Sequence, residues 1–354
     1  MSRILIVNAG SSSLKLSLLE LGTDTEQPLA EAELAAPAAS FDPDLLRRLL
    51  SGPLGDAQAV AHRIVHGGST FRDAVLIDDS VRAALGELSA LAPLHQPKSL
   101  AALDAVTQLL PGLPAVACFD TAFHSTLPEA AATFALPERW RERWGLRRYG
   151  FHGLSHAHVA RHVADTLGEG LRIVSCHLGA GASLCAIADG RSIDTTMGFT
   201  PLDGLVMATR SGSLDPGLLL WLLEHTEISE PELAAALEHE SGLYGLAGVA
   251  DMREILAARE AGDLRAALAI DVYVHRLRAG IAAMAAALDG LDVLAFTGGV
   301  GENAAAIREQ TLAGLGFLLR AGATGGPVRV LTVHAREDLE IALQARALLA
   351  APTV

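Results

Sequence analysis

The sequence has few aromatic residues, few cysteines and few lysines. Aromatic side chains make up 4% of the 354 residues, so the hydrophobic half of the chain is mainly Ala, Leu and Val. The three cysteines, Cys118, Cys176 and Cys185, form no CxxC pair. We interpret them as reduced core residues and expect a cytoplasmic protein. The only lysines are Lys15 and Lys98, which makes each of them a candidate for a functional role.

Two further absences limit the possible partners. The chain has no run of 18 apolar residues, and Met1–Val7 leads directly into a predicted strand, so we expect neither a membrane span nor a secretion signal. The net charge of −14 at pH 7 argues against a basic face for nucleic acid. A polyanionic substrate would therefore have to be bound by a few local cations, backbone amides and a metal ion.

The most informative stretch lies between residues 172 and 217. Arg172–Leu178 and Ser183–Ala188 are predicted strands on either side of the turn Gly179–Gly181, and Asp189-Gly190 predicts a hairpin into a third strand, Arg191–Thr195. Glycines in such a turn present backbone N–H groups to a phosphate without a side chain in the way. A tight turn without a ligand is the alternative.

Two other turns resemble this one. Val7–Leu14 can be aligned with Cys176–Leu184, and both stretches consist of a strand, a turn of small residues and a second strand. Two such hairpins could hold the two ends of a phosphate chain, although the similarity could also arise by chance. Thr297–Asn303 follows a predicted buried strand and precedes a helix, which is typical of an anion or nucleotide site, but it matches neither a Walker A nor a GxGxxG motif.

Charged and imidazole side chains mark further candidate positions. Arg63 lies between His62 and His66 in a predicted strand, and these three side chains cannot all be buried cheaply. Asp120 follows the strand Ala115–Phe119, at the carboxyl end where α/β folds bind ligands. A zinc site is the alternative interpretation of the histidines at 152, 156, 158 and 162, but no acidic residue lies among them as a third ligand, so we disfavour it.

Nine blocks of the sequence together resemble one family. The sequence resembles acetate kinase and its short-chain acyl kinase relatives in these blocks, in the order of the family from Ile4 to about Ala342: ILIVNAGSSSLK, HRIVHGG, LAPLH, FDTAFH, RYGFHGLSH, HLGAGAS, DTTMGFTPLDG, TRSGSLDP and FTGGVGEN. The resemblance implies an α/β fold of duplicated ribonuclease-H-like domains, as in actin and sugar kinases, flanking a nucleotide cleft. It also implies a homodimer that uses acetate, ATP and Mg²⁺ (or Mn²⁺). We expect an N-terminal domain of residues 1–121 plus 340–354 and a nucleotide-binding domain of residues 122–339.

The resemblance also implies roles for four catalytic residues. Arg63 and Arg210 would hold the carboxylate and the transferring phosphoryl group, for which planar, permanently charged guanidinium groups are suited. His152 would donate to the phosphoryl oxygens, and Asp120 would orient the arginines or the nucleophile. Because acetate is already ionised, we expect catalysis to rest on positioning and charge neutralisation rather than on a general base.

Further positions follow from the resemblance by the ligand they would contact. The magnesium ion would lie near Asn8 and Glu337. An apolar pocket for the acyl methyl group, next to Arg63, would consist of Val65, Leu94, Phe151 and Pro201. The candidate nucleotide contacts are Lys15, His177, Gly179, Gly181, Asp251, Met252, Arg253, Gly299, Val300, Gly301, Glu302 and Asn303.

The sequence departs from the family pattern at three places. Ala180 and Gln96 each replace a usual Asn, and Arg336 precedes Glu337 where a Thr-Asn pair is common. Without Asn at position 180 the turn lacks one side-chain donor to the phosphates, which bears on nucleotide affinity.

Two alternative functions remain open at this point. The first is a propionate or other short-chain acyl kinase, because one methylene changes binding by only about 1–3 kcal/mol. The second is an ATP-binding protein or ATPase of the same fold without an acyl substrate. The presence of Arg63, Asp120, His152 and Arg210 together argues against the second, because an ATPase needs no carboxylate clamp.

Overall fold

The structure is a computed structural model that describes residues 3–10, 13–22, 27–35, 42–92, 96–320, 322 and 325–351. The chain divides into two compact units. The first unit comprises Met1–Ser125, Gly153–His158 and Arg336–Val354, and the second comprises Thr126–His152 and Val159–Ala335. The boundaries that we predict from the sequence, after residues 121 and 339, differ from these by a few residues and leave 153–158 in the other domain.

The described residues form strands and helices in alternation. The strands are β1 (Arg3–Ala9), β2 (Ser13–Glu20), β3 (Ala30–Ala35), β4 (Ala59–Ile64), β5 (Val75–Leu76), β6 (Ala115–Phe119), β7 (Ile173–Leu178), β8 (Ala182–Ala188), β9 (Arg191–Thr195), β10 (Val293–Thr297) and β11 (Arg329–Thr332). The helices are α1 (Pro43–Leu50), α2 (Asp79–Glu87), α3 (Gln96–Leu109), α4 (Glu129–Ala132), α5 (Glu138–Trp144), α6 (Gly153–Leu167), α7 (Pro216–His225), α8 (Glu230–Ala235), α9 (Gly242–Ala247), α10 (Met252–Glu260), α11 (Leu264–Ala287), α12 (Gly298–Asn303), α13 (Ala305–Ala313), α14 (Gly316–Leu319) and α15 (Glu337–Ala350).

The first unit is built on a sheet with the strand order β3-β2-β1-β4-β6-β5. Neighbouring strands are antiparallel from β1 to β3 and parallel from β1 through β4 to β6. Because successive side chains of a strand point to opposite faces, β1 contributes to two cores. Leu5 and Val7 belong to a buried cluster with α1 and α3, whereas Ile4 and Ile6 belong to a cluster with α15.

The second unit repeats this arrangement. Its sheet has the order β11-β10-β7-β8-β9, with β7, β8 and β9 antiparallel and with β10 and β11 parallel to β7. Starting from β9, the order and the strand directions match those of β3-β2-β1-β4-β6 in the first unit. The repeated pattern is that of duplicated ribonuclease-H-like domains, and it confirms the predicted fold class.

Several local predictions of the sequence are also found. Asp189 and Gly190, which join β8 to β9, both have positive φ, at 49° and 71°, as a tight two-residue hairpin requires. Helix α11 begins after Asp263, whose carboxylate accepts hydrogen bonds from the N–H groups of Arg265 and Ala266. None of the helices in the described part of the chain is both long enough and apolar enough to cross a membrane.

Candidate functional site

In the first unit, three neighbouring strands bring charged side chains to one edge of the sheet. Asn8 lies near the end of β1, Arg63 lies near the end of β4, and Asp120 directly follows β6. The Nε of Arg63 donates to both carboxylate oxygens of Asp120, at 3.0 and 3.1 Å, and its Nη1 donates to the amide oxygen of Asn8 at 3.1 Å. The amide nitrogen of Asn8 donates in turn to Glu337 at 3.5 Å. Four of the predicted residues therefore form one contiguous cluster.

The charges of this cluster depend on one another. Burial lowers the pKa of Arg63, but the negative charges of Asp120 and Glu337 outweigh burial and raise that pKa above its usual value. Burial raises the pKa of Asp120, and the Arg63 guanidinium opposes this shift by attraction and by hydrogen bonding. Because the guanidinium donates to both oxygens, we take Asp120 as the ionised partner of Arg63.

The backbone at Asp120 is fixed by a close approach of helix α6. The N–H of Gly153 donates to the carbonyl oxygen of Asp120 at 2.8 Å, and a Cβ added to Gly153 would lie only 2.2 Å from that oxygen. Only glycine fits at position 153 without displacing Asp120. Gly153, the second glycine of the RYGFHGLSH block, therefore holds the end of β6 in place.

The segment that follows Arg63 is held by a residue whose role the sequence did not reveal. Gln96 is fully buried, and its side-chain amide pairs with both backbone groups of His66, at 3.1 Å each. This pairing holds the chain next to Val65, which is buried as expected of a pocket residue.

Two other predicted residues lie apart from this contact. Leu94 lies outside the described residues, and Lys15 is exposed on β2 directly opposite Asn8.

The two histidines beside Arg63 are both buried. We expect from the sequence that Arg63 and these histidines cannot all be buried without a partner, and Arg63 has one in Asp120. His62 is buried, at 1% exposure. Among the described residues neither ring nitrogen of His62 has a hydrogen-bond partner. Burial lowers the pKa of His62 to about 3 and that of His66 to about 4.

In the second unit, three side chains surround the turn Gly179–Gly181. The rings of His152 and His177 stack with their centroids 4.2 Å apart. A Cβ added to Gly181 would lie 3.1 Å from Nε2 of His152 and 3.6 Å from Nη2 of Arg210. The absence of a side chain at Gly181 thus leaves space between an imidazole and a guanidinium.

The hydrogen bonds of the turn itself limit which donors face that space. The N–H of Gly179 donates to the carbonyl oxygen of Gly181 at 2.9 Å and is therefore used within the turn. Within the described part of the chain, the N–H groups of Ala180 and Gly181 have no backbone acceptor. These two groups are the ones that can bind a phosphate oxygen.

Arg210 is held by contacts on its side chain and on its backbone. Its Nη1 donates to the carbonyl oxygen of Pro201 at 2.9 Å, and its Nε lies 3.8 Å from the carboxylate of Glu238. Burial lowers the pKa of Arg210, and Glu238 opposes this shift. Gly242 has a φ of +60°, and an added Cβ there would lie 2.6 Å from the carbonyl oxygen of Arg210, so helix α9 begins in direct contact with this loop.

Arg148 organises the segment that contains Pro201. Its Nη1 donates to the carbonyl oxygens of three successive residues, at 3.0–3.1 Å: Thr195, Thr196 and Met197. Its guanidinium also lies 3.5 Å from the carboxylate of Asp203. The sequence contained no signal for this role, because an irregular segment shows no periodicity from which its contacts could be inferred. Phe151, three residues after Arg148, is buried.

A cavity of about 690 Å³ opens beside the glycine turn of the second unit. Its lining includes the predicted nucleotide contacts Gly179, Asp251, Met252, Arg253, Gly299, Val300 and Asn303, together with Ala180. Hydrogen bonds from the Arg253 side chain and backbone lower the pKa of Asp251 to about 2, so this carboxylate is ionised at the cavity. The cavity is large enough for a small-molecule ligand.

Glu302 holds the turn between β10 and α12. Its carboxylate accepts from the N–H of Gly298 at 3.1 Å and from the N–H of Ala335 at 3.0 Å, and it contacts Nδ1 of His334. Gly301 is buried, and neither Gly301 nor Glu302 belongs to the lining of the cavity. The nucleotide contacts that we predict for Gly301 and Glu302 therefore remain predictions, whereas the anchoring role of the carboxylate is directly visible.

A magnesium ion has suitable donors in the first unit. Mg²⁺ is usually bound through one or two carboxylates together with water and substrate phosphates. Asn8 and Glu337 supply an amide oxygen and a carboxylate, and the hydrogen bond from the amide nitrogen of Asn8 to Glu337 keeps the two side chains together, which fits that pattern. Among the described residues there is no group of three or more His, Cys, Asp or Glu side chains that could enclose a metal without substrate.

Comparison with known proteins identifies the family. The model of the acetokinase family matches residues 44–323. This chain belongs to the acetokinase family. The acetate kinase of Synechococcus sp. (strain JA-2-3B'a(2-13)) is 44% identical over 400 residues, which covers 98% of this chain and 99% of the relative.

Two solved structures superimpose closely on this chain. The crystal structure of acetate kinase from Porphyromonas gingivalis has a TM-score of 0.90 at 34% identity and covers 99% of this chain and 100% of its own. The structure of a propionate kinase from Francisella tularensis has a TM-score of 0.89 at 35% identity, with 97% and 99% covered. Both an acetate kinase and a propionate kinase are therefore similar to this chain over nearly its full length.

Proposed function

We propose that this protein catalyses the reversible transfer of the γ-phosphoryl group of ATP to acetate, giving ADP and acetyl phosphate. The observation that carries the proposal is the arrangement at Gly181, where His152 and Arg210 flank the turn that also borders the cavity. A nucleoside in the cavity would extend its phosphates along this turn. The N–H groups of the turn and the Arg210 guanidinium suit the negative charge of those phosphates.

The residues of the site would act by holding charge in place. Arg210 would bind oxygens of the transferring group through its guanidinium, and His152 would donate from its ring. Arg63, aligned by Asp120, would bind the acetate carboxylate, which then attacks phosphorus directly and in line. Because acetate is ionised, no proton has to be removed from the nucleophile.

The metal would be held by Asn8 and Glu337 in the first unit. When bound, Mg²⁺ supplies positive charge that neutralises the phosphates of the nucleotide. Glu337 lies at the first position of α15, where the helix dipole also favours a carboxylate.

The acyl substrate is tested by trapping the product with hydroxylamine. Purified protein is assayed with acetate, propionate and butyrate in parallel, each with ATP and with pyrophosphate as the phosphoryl donor. We expect the highest kcat/KM for acetate with ATP. A higher value for propionate would favour the second candidate, for which the similarity to a propionate kinase of known structure is the specific observation. ATP hydrolysis without any acyl phosphate would contradict both.

We also propose that the protein forms a homodimer through helix α7. This helix reads PGLLLWLLEH and has no buried residue, with Leu220 59% and Trp221 53% exposed. A helix that is apolar on all sides is stable in water only when it is covered. Leu214, just before the helix, lines a cavity of about 660 Å³ whose walls include small and apolar residues of α9 and α11. An exposed apolar helix and a cavity with small and apolar residues in its wall, both on one unit, suit a two-fold contact in which each copy fills the cavity of the other.

The oligomeric state can be measured directly by light scattering coupled to size-exclusion chromatography. We expect a dimer that Trp221→Glu converts to a monomer, whereas the control Leu29→Glu, at an equally exposed leucine of the first unit, leaves it intact. A monomeric native protein, or an unchanged dimer with Trp221→Glu, would contradict the proposed surface.

For the location in the cell we propose the cytoplasm. All three cysteines are buried thiols outside any disulfide, and burial raises the pKa of each thiol, to about 12 for Cys185. Thiols that stay protonated and buried are compatible with a reducing compartment. A cell fractionation with an antibody against the protein would test this.

A further inference from the structure

The orientation of His152 is fixed on three sides within the second unit. Its backbone has φ 55° and ψ 24°, the left-handed region, which costs energy for a residue with a side chain. Its ring stacks on that of His177, at an interplanar angle of 28°. The third contact comes from Ser183, whose Oγ lies 3.0 Å from Nδ1 of the ring.

Ser183 is well placed to hold this ring still. It lies on β8, is fully buried, and pairs directly with His177 of β7 in the antiparallel register. Its hydroxyl is therefore attached to the same pair of strands, β7 and β8, that carries the stacked ring of His177. Since the β7–β8 hairpin also contains the Gly179–Gly181 turn, the hydroxyl and the turn belong to one rigid element.

The two ring nitrogens of His152 have different neighbours. Nδ1 faces Ser183, whereas Nε2 faces the glycine turn, since an added Cβ at Gly181 would lie 3.1 Å from it. A hydroxyl can donate to an unprotonated Nδ1 or accept from a protonated one. When it donates, the single hydrogen of the neutral ring lies on Nε2. When it accepts, Nε2 carries a hydrogen only in the doubly protonated ring, and the neutral tautomer protonated at Nδ1 leaves Nε2 bare.

We propose that Ser183 is a positioning residue for His152: its hydroxyl donates to Nδ1, so that Nε2 keeps a hydrogen directed at the glycine turn. This inference rests on the proposed function, in which His152 donates to a phosphoryl oxygen. A bare Nε2 would present a lone pair to negatively charged oxygens, and a ring free to turn would not hold its donor toward the glycine turn. Ser183 thus acts on the reaction through His152 and touches no substrate itself.

The protonation of the ring is measured first, because this needs no activity. The protein is labelled with ¹⁵N-histidine, and the nitrogen shifts of His152, assigned with the variant His152→Asn, show which nitrogens carry hydrogen. We expect a hydrogen on Nε2 in the native protein at neutral pH, and a mixture of tautomers in Ser183→Ala. A bare Nε2 in the native protein, or an unchanged spectrum in Ser183→Ala, would overturn the proposal.

A double-mutant cycle then separates positioning from simple packing. We expect Ser183→Ala to lower kcat by roughly 10- to 100-fold, the effect of losing one hydrogen bond to a group that acts on charge, with KM for ATP and acetate changed little. In a His152→Ala background the same substitution should have no further effect. An equal loss in both backgrounds would show that Ser183 matters only for packing.

Two variants complete the design. Ser183→Thr keeps the hydroxyl and should recover most of kcat, whereas an activity as low as that of Ser183→Ala would contradict the proposal. Ser192→Ala removes another fully buried serine of the same sheet, one that contacts Cys185, and should leave kcat unchanged. If native protein makes no acyl phosphate, the proposed function fails while the nitrogen shifts still test Ser183. If native protein is active and Ser183→Ala is equally active, only this inference fails.

Discussion

The buried His62 should make the first unit sensitive to acid. Its pKa falls from the usual 6.5 to about 3 in the folded protein, because burial penalises the charged ring. Between these two pH values the unfolded chain binds a proton that the folded protein does not, so the free energy of unfolding decreases as the pH falls. For one such group the loss between pH 7.5 and pH 5 is about 2 kcal/mol, or roughly a 30-fold change in the unfolding equilibrium. The nearby carboxylate of Asp104 opposes the lowering of the His62 pKa. Burial also lowers the pKa of His66, which adds to the acid sensitivity.

The substitution His62→Leu should remove this sensitivity. At pH 7.5 the variant should already be the more stable protein by about 1 kcal/mol or more, because it removes two buried ring nitrogens that have no partner in the described part of the chain. At pH 5 its advantage should increase by a further ~2 kcal/mol.

Amide hydrogen exchange of the β4 peptides, followed by mass spectrometry, measures the effect where it arises. Native protein and variant are compared at the same pH, so that the intrinsic exchange rates cancel. His275→Leu, at an exposed histidine of α11, serves as the control and should leave the exchange of β4 unchanged. Equal dependence on pH in native protein and His62→Leu would refute the reasoning, since the proton would then be taken up elsewhere.

Three further predictions concern the reaction. Arg63→Ala and Arg210→Ala should each lower acyl-phosphate formation by roughly three orders of magnitude or more while the circular dichroism spectrum is retained, and native-like turnover would remove that arginine from the mechanism. Glu337→Ala should raise the Mg²⁺ concentration needed for half-maximal activity, and native activity that persists in excess chelator would contradict a metal requirement. Ala180→Asn should lower the KM for ATP about tenfold, through one added hydrogen bond to phosphate, with the KM for acetate unchanged. A weaker ATP affinity would show that the new side chain crowds the turn, and a change confined to acetate would show that the turn binds the other substrate.

The contacts that hold the site could not be predicted from the sequence. Gln96 pairs with the backbone of His66, Arg148 binds the carbonyls of residues 195–197, and Glu302 accepts from the N–H of Ala335. Each contact joins segments that lie far apart along the chain, and periodicity contains no information about such pairs. The residues themselves are of types that are common on protein surfaces, so nothing in the sequence distinguished them from solvated side chains.

The sequence by itself determined the elements and the turns of this protein. Alternating apolar residues, Asp189-Gly190 and the glycine turns are local signals, because they depend on the backbone conformations that a few adjacent residues allow. The nine signature blocks also identified the family, because they occur in this chain in the same order as in the family. Only the tertiary structure decided which side chains are buried and what satisfies them. It buried His62 with no hydrogen-bond partner for its ring among the described residues, used the N–H of Gly179 within its own turn, and placed Ser183 against His152. Burial and long-range hydrogen bonds are properties of the packed sheets and not of any one segment.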